Sequence, residues 1–208
     1  MTGAVMNDLP FPKIRFLPLL LAAALTACSP GGDTAAQEAP PLQGAAIGGD
    51  FTLTDESGQT AQESDFAGDY RIVYFGYTFC PDVCPVDMQN LGRALRAFEA
   101  DDAEAAGKLV PIFVSVDPGR DTPEVLAEYT ANFHPRLIGM TGTREQLDAM
   151  VEAYGAWYEI EEDDGSGRYL VNHTNNATLF GPDGEPLAIL PLQDSTETIV
   201  DTLRRWVR

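Results

Sequence analysis

The sequence is sparing with the residues that most often carry chemistry. It holds three cysteines and two histidines in 208 residues. That leaves no material for a disulfide-rich framework. Basic residues are scarce too: 13 Lys and Arg stand against 32 Asp and Glu, a net charge of −19. Nucleic acid would be repelled by such a chain and is excluded as a partner, and so is attraction to anionic lipid by charge alone. A cationic partner or a metal cation is compatible with this balance, although acidity by itself argues only for solubility. The chain also lacks an apolar run long enough for a membrane span, which takes about 20 residues. What remains is ordinary: 44% apolar and 22% charged residues, which excludes wholesale disorder. The length suits one domain with a proper core.

The apolar run that is present, FLPLLLAAAL at 16–25, follows Lys13 and Arg15 and has the length of a signal-peptide core. Leu25-Thr26-Ala27-Cys28 resembles a bacterial lipobox, in which cleavage precedes the cysteine and its thiol carries diacylglycerol. Met1 and Met6 are both candidate starts. The expected organisation is a lipoprotein signal peptide at 1–27, lipidated Cys28 with a flexible tether through 46, and one domain at 47–208. The Pro-, Gly- and Ala-rich stretch SPGGDTAAQEAPPLQGAA would reach roughly 23 Å as a flexible coil. This implies a membrane-anchored lipoprotein of the bacterial cell envelope facing the periplasm, with a monomeric domain. Removing residues 1–27 takes away Asp8, Lys13 and Arg15 and leaves 31 acidic and 11 basic residues, a net of −20. Apart from Cys28, only Cys80 and Cys84 remain.

From Ile47 onward strand and helix signals alternate. Phe51–Thr54 and Gln59–Gln62 flank the turn-rich Asp55-Glu56-Ser57-Gly58, a hairpin pattern. Arg71–Tyr77 and Leu109–Val116 are β-branched and aromatic runs that predict buried strands. Between them, Val86 to about Ala106 predicts one helix with Met88, Leu91, Leu95 and Phe98 on a stripe. Thr122-Pro123-Glu124 predicts a helix start, with the helix running to about Phe133. Leu137–Met140 is a short strand, and Thr143-Arg144-Glu145-Gln146 is a capping box whose helix ends near Gly155. Residues 156–161 and 168–171 predict a hairpin turning at Asp163-Asp164-Gly165-Ser166-Gly167. A second runs from Thr178–Phe180 through Pro182-Asp183-Gly184 to Leu187–Leu190. Asp194 or Ser195 caps a last helix that ends in Arg204, Arg205 and Arg208, which suit its negative end. The order predicts an α/β fold with a mixed central sheet flanked by helices, an added N-terminal hairpin, and an inserted hairpin before a loop that carries His173.

The stretch GYTFCPDVCP at 76–85 carries the chemistry. A disulfide between Cys80 and Cys84 closes so small a loop that it is a weak staple. Pro85 is uncomfortable beyond the first turn of a helix. The helix is therefore expected to open with Cys84 near its cap and Pro85 at its first position, leaving Cys80 in the preceding loop. Both sulfurs then sit near the positive helix end, which favours the thiolate that attacks disulfides and ligates metals. Thioredoxin-type redox pairs have two intervening residues, and this pair has three. As a metal site two thiolates need a third ligand. His134, in Asn132-Phe133-His134-Pro135, has the setting of a capping or surface residue. His173 lies between an apolar strand and the strand at 177–180. In thioredoxin-like folds that region faces the cysteines and normally carries a proline, which this chain lacks from Asn172 to Phe180. Two soft thiolates and an imidazole suit copper in either oxidation state, or zinc. Structural zinc wants a fourth ligand, for which Asp82 and Asp87 are the nearby oxygens.

The cysteine stretch resembles the SCO/SenC family of thioredoxin-like copper-binding proteins, as do Ser115-Val116-Asp117-Pro118-Gly119-Arg120-Asp121-Thr122-Pro123, Leu137-Ile138-Gly139-Met140-Thr141-Gly142 and Val171-Asn172-His173-Thr174. The resemblance implies that Cys80, Cys84 and His173 bind copper, as Cu(I) or Cu(II). It implies a role in assembling the binuclear copper centre of cytochrome c oxidase, with thiol redox chemistry alongside. Partners would be the copper-accepting oxidase subunit, other copper carriers and thiol–disulfide reductants. The family usually has Asp before the histidine and often Ser after it; here stand Asn172 and Thr174. Loss of that negative charge would shift affinity or redox poise. Asp117 and Asp121 are read mainly as a strand-end turn and helix start, and otherwise as residues standing behind the ligands. Set against the metallochaperone reading is a thiol–disulfide reductase that uses Cys80 and Cys84 without His173. A peroxidase is suggested by the fold alone.

Overall fold

In chain order the elements are β1 (Thr52–Asp55), β2 (Thr60–Gln62), β3 (Tyr70–Gly76), α1 (Val83–Asp101), α2 (Ala103–Gly107), β4 (Leu109–Ser115) and α3 (Pro123–Ala131). They continue with β5 (Ile138–Thr141), α4 (Arg144–Ala153), β6 (Tyr158–Ile160), β7 (Val171–His173), β8 (Ala177–Phe180), β9 (Pro186–Leu190) and α5 (Thr196–Trp206). This computed structural model describes residues 38–162 and 168–208. The expected signal peptide, Cys28 and the turn at Asp163–Gly167 lie outside the described residues.

The two apolar runs form the middle of the sheet. β3 and β4 pair in parallel, Val73 opposite Ile112 and Phe75 opposite Val114, and both are buried almost throughout. Strands covered on both faces must be continuously apolar, which is how these runs read. β5 continues the parallel set beside β4. The β1–β2 hairpin closes that edge antiparallel, and β8 and β9 add antiparallel strands beyond β3. The seven-stranded order is β2-β1-β5-β4-β3-β8-β9. α1 packs against α5, α3 against β5, and α4 against β1. The stripe Met88, Leu91, Leu95 and Phe98 is almost wholly buried. Each such side chain contributes about 1.5–3 kcal/mol by leaving water. The α/β architecture with a mixed central sheet is as expected.

Three local details differ from expectation. The helix through 106 is two helices. Asp102 leaves helical geometry (φ −142°, ψ 87°) and its carboxylate accepts the Ala105 N–H, capping α2. A short acidic side chain competes with the helix backbone in just this way. Of the two candidate caps of α5, Ser195 is the one used, its hydroxyl accepting the Thr198 N–H at 3.2 Å, as expected. The described fold also begins earlier than Ile47: Leu42 N–H donates to Leu187 O at 3.0 Å, and Gly48 N–H to Ala153 O at 2.9 Å.

The last difference bears on function. The inserted hairpin is β6 paired antiparallel with β7, Tyr158 opposite His173 and Ile160 opposite Val171. Its second strand is Val171–His173 rather than 168–171, so His173 stands on the strand itself and not in a following loop. The apolar character of Tyr169 and Leu170 drew the sequence boundary too early. Pairing across the ribbon, which a single strand's composition does not show, sets it.

Candidate metal centre

The site assembles at the end of β3. After Gly76 the chain turns, Cys80 N–H donating to Tyr77 O at 3.3 Å, and α1 opens at Val83. Cys84 is the second residue of that helix and Pro85 the third. This corrects the expected start at Pro85 by two positions. Proline is tolerated there because the N–H groups of a first turn have no intrahelical partner anyway. One of those free donors reaches across the turn: Cys84 N–H points to Cys80 Sγ at 3.5 Å. Cys80 is half-buried and Cys84 buried, and both are free thiols, with no disulfide between them.

Gly76 lets Cys84 come so close. A Cβ at that position would lie 3.0 Å from Cys84 Sγ and 2.9 Å from the Phe113 ring. Strand alternation places the third donor. Val171 is buried, Asn172 is exposed, and His173 faces inward. His173 Nδ1 donates to Thr174 O at 2.9 Å, which turns Nε2 toward the cysteines, 3.2 Å from Cys84 Sγ. The rings of Tyr74 and Tyr77 meet the imidazole edge-on, with centroids at 6.3 and 5.8 Å. A second-nitrogen hydrogen bond of this kind is how proteins fix the tautomer of a ligating histidine. Sγ of Cys80, Sγ of Cys84 and a ring nitrogen of His173 all lie within 4.8 Å of one another.

The two thiols are not alike. A hydrogen bond from the Cys84 side chain holds the Cys80 thiol down to about 3, against burial, with help from His173 and the N–H groups of Cys84 and Asp82. Donating to Cys80 pushes Cys84 the other way, and burial adds to it. Burial works against a charge on His173, but the bonds to Cys80 and Thr174 outweigh it and raise the ring. Without metal these opposite shifts favour a single negative charge on the pair, toward Cys80. Sequence reasoning credited the helix end with favouring the metal-ligating thiolate at both sulfurs; without metal, the cost of two like charges so close sets the two apart.

Among the described residues no fourth His, Cys, Asp or Glu joins this group. Asp82 is exposed at the helix entrance. Asp87 is wholly buried behind Cys84, where its carboxylate accepts from Tyr74 Oη at 2.9 Å and from Gln193 Nε2. Burial raises it above the usual carboxylate range in spite of those bonds. His134 is not a surface residue; it is 1% exposed, takes the Arg136 N–H at Nδ1 and lies 3.3 Å from Glu99 through Nε2. Two thiol sulfurs and one imidazole with no oxygen partner form an open, soft donor set. Such a set fits copper better than structural zinc, which fills four protein positions.

The segment from Ser115 to Asp121 stands behind the donors. Asp121, fully buried, accepts from Thr78 N–H at 2.9 Å, Thr78 Oγ1 at 2.6 Å and Ser115 Oγ at 2.5 Å. Asp117, also fully buried, accepts from Tyr169 Oη at 2.7 Å and from Arg120 Nε. Asn172 is exposed, and its side-chain amide donates to Glu161 at 3.4 Å. Sequence reasoning passed over Arg120 and Tyr74, and it did not foresee the reach from Asp121 to Thr78. The motif around Asp117 was the available signal, but its partners lie far away along the chain.

Residues 39–208 match the SCO1/SenC family. SenC of Rhodobacter capsulatus is 44% identical over 138 residues, 66% of this chain and 60% of that protein. The human mitochondrial SCO1 homolog is 40% identical over 139 residues, 67% of this chain and 46% of that protein. The matched region thus spans about half to two thirds of these relatives' lengths. The structure of Bradyrhizobium japonicum ScoI with copper bound superposes with a TM-score of 0.70 at 33% identity, over 78% of this chain and all of that one. Yeast Sco1 with copper bound gives 0.70 at 32% identity, over 76% and 87%. This chain belongs to the SCO1/SenC family.

Proposed function

We propose that the protein is a copper metallochaperone that holds copper through Cys80, Cys84 and His173 and passes it on during assembly of the binuclear copper centre of cytochrome c oxidase. The acceptor would be the copper-accepting subunit of that oxidase. The observation that carries the reading is the convergence of two sulfurs and a ring nitrogen within 4.8 Å, with no fourth donor among the described residues. An open site favours hand-over, because an incoming ligand finds a vacant position. Copper-bound relatives of the same fold support the choice of metal. The surroundings support a protein acceptor. Phe79 and Val86, about half exposed, flank the cysteines, and Trp157, also half exposed, bonds through its backbone to Thr174 beside the histidine. Apolar side chains left in water around a reactive site suit docking. Lipidation at Cys28 and a tether in the periplasm would complete the arrangement.

The test is a copper titration of the reduced protein with His173→Ala and Cys80→Ala beside wild type. We expect one copper per chain and a loss of about 10-fold or more when His173 is removed, with the fold intact. Unchanged affinity in His173→Ala would sink the three-donor site.

A second reading draws on the opposite shifts of the two thiols, Cys80 lowered toward thiolate by its bond from Cys84 and Cys84 raised. In a thiol–disulfide reductase Cys80 would attack one sulfur of a partner disulfide, and the other sulfur would leave as a thiol. Cys84 would then lose its proton and close a bond to Cys80, releasing the partner reduced. Such a protein shows a strongly reducing Cys80–Cys84 couple and negligible copper affinity. His173→Ala would leave that couple active.

A further inference from the structure

The donors of the metal centre come from two separately built parts. Cys80 and Cys84 belong to the body, on the loop and helix that follow β3. His173 belongs to the β6–β7 ribbon, which among the described residues shares no ladder with the main sheet. A two-stranded ribbon of this size is marginal alone. It is joined to the body by side chains: Val171 enters the core, and Arg144 donates to Tyr158 Oη at 2.7 Å. Tyr77, ahead of Cys80, meets the His173 ring, and Arg120 touches both the ribbon and the cysteine loop.

Arg120 starts from the turn after β4, where its Nε is paired with buried Asp117. On the ribbon side, its Nη1 donates to Tyr169 O at 2.9 Å, and the guanidinium lies 3.6 Å above the Tyr169 ring. The hydroxyl of the same tyrosine returns to Asp117 at 2.7 Å, closing a ring of three residues. On the cysteine side, the guanidinium faces the Phe79 ring at 5.0 Å and the Tyr77 ring at 5.6 Å, the two aromatics just ahead of Cys80. Tyr77 in turn meets the His173 imidazole edge-on. A planar cation that can stack and donate in a fixed fork joins these surfaces; a lysine ammonium has no such plane.

We propose that Arg120 is a positioning residue for His173: with Asp117 it straps the histidine ribbon to the cysteine loop and so sets how closely the imidazole approaches the two sulfurs. Arg120 is not among the donors. Its effect on copper passes through His173, and in this the proposal rests on the three-donor reading above. Without the strap the cysteines keep their places on the body, while the ribbon samples positions from which the imidazole does not reach them.

The test is a double-mutant cycle on the protein, titrated with cuprous ion against a competing chelator, using wild type, Arg120→Ala, His173→Ala and the pair. Residues behind metal ligands typically cost about 10–100-fold in affinity when removed, and Arg120→Ala should fall in that range. In the pair the loss should equal that of His173→Ala alone, because the strap then has nothing left to position. Equal losses with and without His173, or no loss on removing Arg120, overturn the proposal. Hydrogen exchange of the metal-free protein is the second readout. Amides of Val171–His173 should exchange faster in Arg120→Ala while those of β3 and β4 stay as they are. Unchanged exchange at β7, or uniform acceleration across the core, also overturns it. If the alanine variant does not fold, Arg120→Lys, which keeps a charge against Asp117, is read by the same criteria. Should His173→Ala bind copper as wild type does, the three-donor reading fails, and the exchange measurement still decides the strap.

Discussion

Asp121 takes two hydrogen bonds from one residue 43 positions earlier, Thr78, through its backbone N–H and its hydroxyl. Thr78 is two residues ahead of Cys80, so a carboxylate on the turn after β4 anchors the loop that presents the first sulfur. The same carboxylate holds Ser115 at the end of β4. Removing it strands the buried hydroxyl of Ser115 and the half-buried hydroxyl and amide of Thr78.

We therefore expect Asp121→Ala to cost about 3 kcal/mol, since each buried polar group left unpaired costs about 1–3 kcal/mol. Asp121→Asn should cost less, because its oxygen still accepts from the amide. The asparagine variant also has a pH signature. Burial raises Asp121 above the ordinary carboxylate range in spite of the bonds from Ser115 and Thr78. A raised folded-state pKa stabilises most when the pH is below the unfolded value, and that benefit fades as pH rises through the folded value. The deficit of Asp121→Asn relative to wild type should thus be larger at acid pH than at neutral pH. Paired urea titrations at the two pH values measure it, and a deficit that grows toward neutrality would contradict the burial argument.

The split between the two thiols makes a kinetic prediction for the reduced, metal-free protein. Cys80 is held at about 3, so its thiolate fraction does not change between pH 5 and pH 8. An ordinary thiol, with a pKa of about 8.5, gains about 10-fold in thiolate for each pH unit over that range. The absolute rate is a poor test, because a low-pKa thiolate is also a weaker nucleophile. The slope is a good one. Alkylation of Cys80, followed by peptide mapping, should be nearly flat with pH, and Cys84 should stay unmodified in the folded protein. A tenfold rise per unit at Cys80 would show that the negative charge does not rest there.

Much of this fold can be read along the chain, where the determining interactions are local. The hydroxyl of Thr122 accepting from Val125 N–H, with Pro123 behind it, is a contact of three residues, and the sequence displays it. So is the capping box of Thr143 and Gln146. The three donors could be nominated because the cysteines mark themselves and histidines are few. The rest was hidden by distance. Nothing around Asp121 tells that its carboxylate turns away from the helix it precedes and back to Thr78. Nothing around Arg120 names Tyr169, 49 residues on. The difference between the two cysteines was hidden for a related reason: each sulfur's surroundings include the other one, and a helix end assigned to both does not describe their competition.

Gly76 offers a test in which backbone propensity and packing predict opposite signs. Glycine inside a strand is unfavourable by about 0.5–1 kcal/mol relative to alanine, so Gly76→Ala ought to stabilise β3 on propensity alone. Packing says otherwise. The added Cβ would stand 2.9 Å from the Phe113 ring, 3.0 Å from the Tyr74 ring and 3.0 Å from Cys84 Sγ, and all three neighbours are buried. Overpacking of this kind costs about 1–3 kcal/mol, which exceeds the propensity gain. Cys84 sits in the first turn of α1 and yields more readily than the rings of Tyr74 and Phe113, which are held within the sheet. The strain should therefore appear at the metal centre as well as in stability. We expect Gly76→Ala to unfold at lower urea concentration and to bind copper more weakly. Gly107→Ala, where an added Cβ meets nothing within 4 Å, is the control and should leave both unchanged or slightly improve stability. A Gly76→Ala protein with full stability and full affinity would mean that Cys84 has room to retreat, and that the close approach of strand end and sulfur is not what fixes the second donor.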